Sequence, residues 1–225
     1  MLGRPISYIT PFTLLDYPHK SACILWYAGC NMRCDYCYNP EVVLGKGTIS
    51  FEEVLIFLKK RIGLLEGVVF SGGECLLHKT IVAQIRAIKE LGFHIKIDTN
   101  GSKPDLIAQL LEEKLVDYVA LDFKALEDQY QRVTHSDLFS SFETTLQLLL
   151  HSHVPFEVRT TYHSELVSAD QVKLMLHYLE RNGYTGTYYL QAYRNQSETL
   201  VELPYSYPIP FQKLQEATSI NLVCR

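Results

Sequence analysis

The sequence lacks what would place it in a membrane, on nucleic acid or in a stapled secreted scaffold. No apolar run approaches the roughly eighteen residues needed to span a bilayer, and Met1 to Thr10 has no apolar core of an export signal. There is no basic excess: 21 Lys and Arg stand against 25 Asp and Glu, a net charge of −4, so nucleic acid is not an expected partner. Six cysteines in 225 residues are too sparse for a disulfide framework. Internal repeats, low-complexity tracts and linkers are missing as well. Reduced cysteines without an export signal predict a cytoplasmic protein. What remains is ordinary globular material, 47% apolar and 20% charged, of a length that suits one domain, residues 1–225, with a sizeable core.

Cys30, Cys34 and Cys37 stand together in a C-x3-C-x2-C triplet. Thiolates this close share a tight loop and converge on something soft and positive, a metal ion or an iron–sulfur cluster. A 4Fe–4S cubane usually takes four cysteines, so a local set of three leaves one iron with an open position, where chemistry takes place. A structural zinc site would want a second ligand pair, but Cys23, Cys75 and Cys224 are isolated and His151 and His153 are too close for an H-x3-5-H pair. A ferredoxin-like carrier would want a fourth ligand.

Along the chain, short apolar runs alternate with amphipathic stretches. Strands are predicted at Cys23–Tyr27, Gly67–Phe70, Phe93–Ile97, Tyr118–Leu121, Phe156–Val158 and Tyr188–Leu190. Helices are predicted at Val54–Arg61 behind a capping box at Ser50–Glu53, at Ile81–Leu91, and at Leu106–Leu115. Further helices follow a capping box at Ser140–Glu143, ending at His151, and one at Ser168–Gln171, ending at Arg181. Six β/α units predict a parallel sheet with right-handed helical crossovers, a partial (β/α)6 TIM-like barrel with the helices outside.

Polar clusters follow the strands: Ser71-Gly72-Gly73-Glu74, Asp98-Thr99-Asn100-Gly101, Asp122-Phe123-Lys124 and Arg159-Thr160-Thr161. In parallel α/β folds the carboxyl ends of strands share a face, and ligands bind there. The glycines let backbone approach a ligand, and Glu74 offers an acceptor for an ammonium; a plain turn with a solvated Glu is the alternative. Asp98, Thr99 and Asn100 offer a carboxylate, a hydroxyl and an amide to a ribose or a cation, or else form an Asx-type turn. Asp122 and Lys124 read equally as a surface ion pair, and Arg159 as a carboxylate clamp or a structural ion pair.

The cysteine triplet, with Tyr36 just before its third cysteine, and the Ser71-Gly72-Gly73-Glu74 segment resemble the signature of the radical S-adenosylmethionine (radical SAM) enzymes. Within that family Leu15-Asp16-Tyr17-Pro18, Gly29-Cys30-Asn31, Cys37-Tyr38-Asn39-Pro40, Asp98–Gly101, Ala120–Lys124 and Val158–Thr161 are similar to activating proteins of anaerobic ribonucleoside-triphosphate reductases. The likeness covers about residues 7–194, and other glycyl-radical activases, the pyruvate formate-lyase one among them, share much of it. It implies one radical SAM domain over 1–225, with a core of about 20–194 and a C-terminal extension at 195–225.

The resemblance implies that Cys30, Cys34 and Cys37 hold a 4Fe–4S cluster whose fourth iron is chelated by S-adenosylmethionine. Reductive cleavage would give a 5′-deoxyadenosyl radical that takes a hydrogen from a glycine of a partner enzyme, so no general acid or base is assigned. Tyr36 and Tyr38 would lie near the adenine, Gly72, Gly73 and Glu74 at the amino group, and Lys124 and Arg159 at the carboxylate or ribose. Asp98, Thr99 and Asp122, with Asn100 in the same segment, match positions around a monovalent cation. A flavodoxin or ferredoxin would supply the electron. Cys75 stands where the family has Pro, and Tyr38 where it often has His. A small-molecule radical SAM enzyme, such as the deazaguanine ring-forming synthase of queuosine biosynthesis, and a non-catalytic iron–sulfur or zinc module are the other readings. Tyr184 to Tyr207 holds six of the fifteen tyrosines, which suits an irregular segment folded on the domain or a docking surface, and Phe211–Ala217 a last helix.

Overall fold

Alternating strands and helices are what the computed structural model contains; it describes residues 3–225, so Met1 and Leu2 of the N-terminal stretch lie outside the described residues. The strands are β1 (Ile6–Thr13), β2 (Ala22–Tyr27), β3 (Gly67–Gly72), β4 (His94–Thr99), β5 (Tyr118–Asp122), β6 (Phe156–Tyr162), β7 (Thr187–Ala192) and β8 (Asn221–Cys224). They form one open sheet in chain order from β1 to β8, a mostly parallel α/β architecture. The helices are α1 (Pro40–Leu44), α2 (Phe51–Lys59), α3 (Ile81–Glu90), α4 (Pro104–Glu112), α5 (Glu127–Thr134), α6 (Phe139–Leu150), α7 (Ala169–Arg181) and α8 (Phe211–Gln215). No helix among the described residues is long and apolar enough to cross a membrane.

The six predicted strands are all present, and two more extend the sheet beyond the expected six units: β1, antiparallel to β2, and β8, parallel to β7. β1 escapes a sequence reading because its polar and apolar residues do not alternate cleanly; Tyr8, Phe12 and the following Leu14 and Leu15 are exposed. Strands run on past their apolar runs because ladder pairing continues: Trp26 and Tyr27 pair with Ser71 and Gly72, and Arg159 to Tyr162 pair with Tyr189 to Ala192. The interior strand β2, antiparallel to β1 and parallel to β3, is almost wholly buried, as a strand covered on both faces should be.

Helices dock by single buried stripes, Ile81, Ile85 and Ile88 with the hydrogen-bonded Gln84 on α3 and Val172, Met175, Leu176 and Leu179 on α7. The capping boxes at Ser50/Glu53 and Ser168/Gln171 make both reciprocal bonds. The box predicted at Ser140 does not form: α6 starts two residues earlier, at Phe139, with Leu138 as its N-cap and no side-chain cap bond. Phe139 is buried edge-on against Tyr130 at 5.6 Å. Burying such a ring is worth more than the ~1 kcal/mol of a hydroxyl cap.

Contacts gather the chain into two compact units. The first comprises residues up to Asn31, Asn39–Thr99 and Lys103–Val119; the second comprises Met32–Tyr38, Asn100–Ser102 and Ala120–Arg225. In the first, Tyr17, Ala22, Ile24 and Val69 form a core against which Trp26 and Tyr118 pack. In the second, Phe123 stacks on Phe142 at 4.6 Å, with Tyr178 tilted against it at 5.6 Å.

Candidate active site

In the first unit the register of β2 with β3 carries the glycine segment to the start of the cysteine loop. Tyr27 pairs with Gly72, the Gly73 N–H donates to the Tyr27 carbonyl, and the Glu74 N–H donates to the Gly29 carbonyl, both at 2.9 Å. Two positions here require glycine. Gly72 has φ +125, and a Cβ on it would meet the Tyr27 backbone at 2.3 Å. A Cβ on Gly73 would lie 2.1 Å from the Gly29 oxygen and 3.0 Å from the Cys30 Cβ.

Glu74 is buried at the end of that segment, and its carboxylate accepts from the Leu76 N–H and, at 3.1 Å on both oxygens, from the Thr99 hydroxyl. Asp98 accepts from the Ser71 hydroxyl at 3.2 Å and contacts the ammonium of buried Lys96. Cys75 is wholly buried, its Sγ 3.7 Å from the carbonyls of Phe70 and Asp98. Burial, then the neighbouring Glu74 and Asp98, push its thiol well above the usual range, so it stays protonated.

In the second unit the rest of the cysteine loop is clamped from two elements. Cys34 is buried and its carbonyl accepts from the Cys37 N–H at 3.0 Å, closing a turn. From the α5 end, the Thr134 carbonyl accepts from the Arg33 N–H at 2.9 Å, and His135, in the left-handed conformation at φ 53, pairs with Asp35 at 2.7 Å. From the C-terminal segment, the N–H groups of Leu200 and Val201 donate to the carbonyls of Cys37 and Asp35. Tyr38 stacks on Tyr193 at 5.7 Å, lies under the Arg194 guanidinium at 4.7 Å, and accepts from the Arg194 N–H at 2.7 Å.

Asp122, Lys124 and Arg159 come together. Arg159 reaches one Asp122 oxygen with Nε at 2.9 Å and Nη2 at 2.8 Å, and Lys124 reaches the other at 3.0 Å. Burial pushes the Asp122 carboxyl up, but Arg159 and Lys124 more than offset this and hold it below its ordinary range. Tyr36 is buried beside Cys34 and Lys124, and its hydroxyl has no hydrogen-bond partner among the described residues. Burial pushes that phenol far up. Asn100 accepts from the Ser102 N–H at 3.0 Å, the Asx-type turn, with Gly101 at φ 76 behind it.

Residues 24–165 match the family model of the radical SAM superfamily. The chain belongs to that superfamily. It is 34% identical over 175 residues, 75% of its length, to a provisionally named glycyl-radical enzyme activating enzyme of Methanocaldococcus jannaschii, and spans 72% of it. It is also 34% identical over 142 residues to the pyruvate formate-lyase-activating enzyme of Clostridium pasteurianum, which covers 60% of this chain and 58% of that one. Among solved structures, QueE from Escherichia coli superposes over 100% of this chain and 95% of its own, with a TM-score of 0.59 and 14% identity, a likeness of fold alone.

Radical SAM proteins use a 4Fe–4S cluster and S-adenosylmethionine, and the residues here fit both. The cradle at Gly73, which a single Cβ would fill, brings the Glu74 backbone onto the Gly29–Cys30 turn. The orphaned Tyr36 hydroxyl beside Cys34 is a buried polar atom that a bound polar group would satisfy. No three His, Cys, Asp or Glu side chains among the described residues are gathered as a single-ion site, whereas a cubane takes its ligands at separate corners.

Sequence reasoning missed Lys96, Ser71 as a partner of Asp98, the His135–Asp35 pair and the Leu200–Val201 clamp. Lys96 was open to detection, since it stands two residues before Asp98 on one strand and therefore on its face; the others depend on long-range contacts.

Proposed function

We propose that this radical SAM protein is a glycyl-radical enzyme activase, and that its partner is an anaerobic ribonucleoside-triphosphate reductase. The reading is carried by the packing of Gly73 against Gly29 and Cys30, which seats Glu74 at the cysteine loop. The activase names of the two sequence relatives support the reaction class. The Asp98–Gly101 and Ala120–Lys124 segments support the choice of partner. In this reading the chain works as one functional domain, with its core at about residues 20–194, in the cytoplasm, with a flavodoxin or ferredoxin as electron donor.

Cys30, Cys34 and Cys37 would hold the 4Fe–4S cluster. The chemistry that this cluster supplies with S-adenosylmethionine is one-electron cleavage of a carbon–sulfur bond, which equips the site to take a hydrogen atom from a glycine. The chain's own residues bind and orient. Glu74 accepts the amino group of the methionine portion, and the Thr99 hydroxyl holds its carboxylate in place. Arg159 and Lys124, braced on Asp122, present further donors to a carboxylate or ribose. Tyr36 and Tyr38 flank the adenine, Tyr38 fixed by its stack on Tyr193. Cys75, a protonated thiol directed at backbone carbonyls, is kept from acting as a competing ligand.

The test is anaerobic reconstitution followed by dithionite and S-adenosylmethionine, with and without the reductase. Release of 5′-deoxyadenosine together with an electron paramagnetic resonance doublet on the reductase is the expected result. Cleavage without a doublet on the reductase, but with one on another glycyl-radical enzyme, would overturn the partner alone. Conversion of a pterin with no protein partner would move the chain to the small-molecule class, and no cleavage at all would sink both enzyme readings.

A further inference from the structure

The resemblance also implies a monovalent cation at Asp98, Thr99 and Asp122, and the residues present do not fit one. Asp98 is already charge-matched, with one oxygen on the Lys96 ammonium and the other accepting from Ser71. Lys96 lies two residues earlier on β4, so both side chains share a face of the strand. It is among the largest fully buried side chains, 1% exposed, and an ammonium withdrawn that far from water stays charged only against an anion. The Thr99 hydroxyl is directed to Glu74. In the second unit Asp122 is held by Arg159 and Lys124. A metal cation on either carboxylate would meet a fixed positive charge at contact range.

We propose that the Lys96 ammonium is this chain's built-in substitute for that cation. It neutralises Asp98 within the unit that carries Glu74, and S-adenosylmethionine binding therefore needs neither Na⁺ nor K⁺. Lys96 acts through Asp98 and is a positioning residue, standing in place of a monovalent cation. The proposal rests on the reading of Glu74 and the cysteine loop as the S-adenosylmethionine site.

The experiment measures S-adenosylmethionine affinity of the reconstituted holoprotein by equilibrium dialysis, with ionic strength held by choline chloride and then by NaCl or KCl. The wild-type affinity is expected to change by less than about twofold, against about 5- to 150-fold for two coupled ligands. Lys96→Met is expected to lose affinity in choline and regain it in K⁺ or Na⁺. A wild-type affinity that tightens by about fivefold or more with K⁺ or Na⁺, the lower end of that coupling range, overturns the proposal, as does a Lys96→Met protein indistinguishable from wild type. Should that variant not fold, Tl⁺ anomalous scattering from wild-type holoprotein crystals decides: a peak at Asp98 overturns the proposal and its absence supports it. Failure to bind S-adenosylmethionine in every salt would instead overturn the site assignment beneath it, so the two failures are told apart.

Discussion

At the residue scale the cysteines divide by environment. Cys34, Cys30 and Cys37 lie on the loop, whereas Cys75 is sealed in with its thiol protonated. Cys34→Ala is expected to lose most of its iron after reconstitution, and Cys75→Ala to retain it; iron and sulfide analysis checks both, and the opposite pattern would remove Cys34 from the ligand set. The carboxyl of Asp122 is held low by two cations despite burial. A depressed folded pKa contributes stability above the unfolded value, about 3.9 for Asp, which is lost as pH falls through the folded value. Asp122→Asn should therefore cost about 1–3 kcal/mol at neutral pH, with the gap to wild type closing below about pH 3.9. Urea unfolding of the two apoproteins across pH reads this, and a gap independent of pH would refute it.

At the element scale the helix starts carry separable contributions. Ser50 and Ser168 each accept from an N3 backbone N–H and receive the reciprocal side chain. Replacing either by Ala should cost about 1 kcal/mol and lower the melting temperature by about 2–4 °C, with cluster content unchanged. Ser140→Ala should cost far less, because α6 begins before it and draws no cap bond from it. A calorimetric series of the three variants tests that ranking; equal losses at all three would contradict the observed start of α6.

At the scale of the whole molecule, the sheet ends on β8, which only tertiary pairing creates. Leu222 is buried there, the Arg225 N–H donates to the Leu190 carbonyl, and the Arg225 guanidinium pairs with the buried Glu157 at 2.9 Å. Removing residues 221–225 should destabilise the protein by about 2–5 kcal/mol, visible as a lower urea midpoint; an unchanged midpoint would mean that β8 adds nothing. The tail before it is not a loose appendage in the second unit. Residues 193–201 brace Tyr38 and the backbone of the cysteine loop, so the tyrosine-rich stretch serves as a support within the chain.

The linear sequence by itself determined the alternation of β and α, the six interior strands, two of the capping boxes, the cysteine triplet and the glycine segment. Each of these is written in short-range spacing: apolar runs, residues three apart on a helix start, thiols on one loop. Only the tertiary structure decided that the glycines lie against Gly29 and Cys30, that Arg159 and Lys124 share Asp122, that Lys96 meets Asp98 in a buried ion pair, and that residues 200–201 hold the cysteine loop. Those facts turn on strand register, burial and long-range pairing, whose free energies arise between segments distant in the chain and leave no periodic trace within either one.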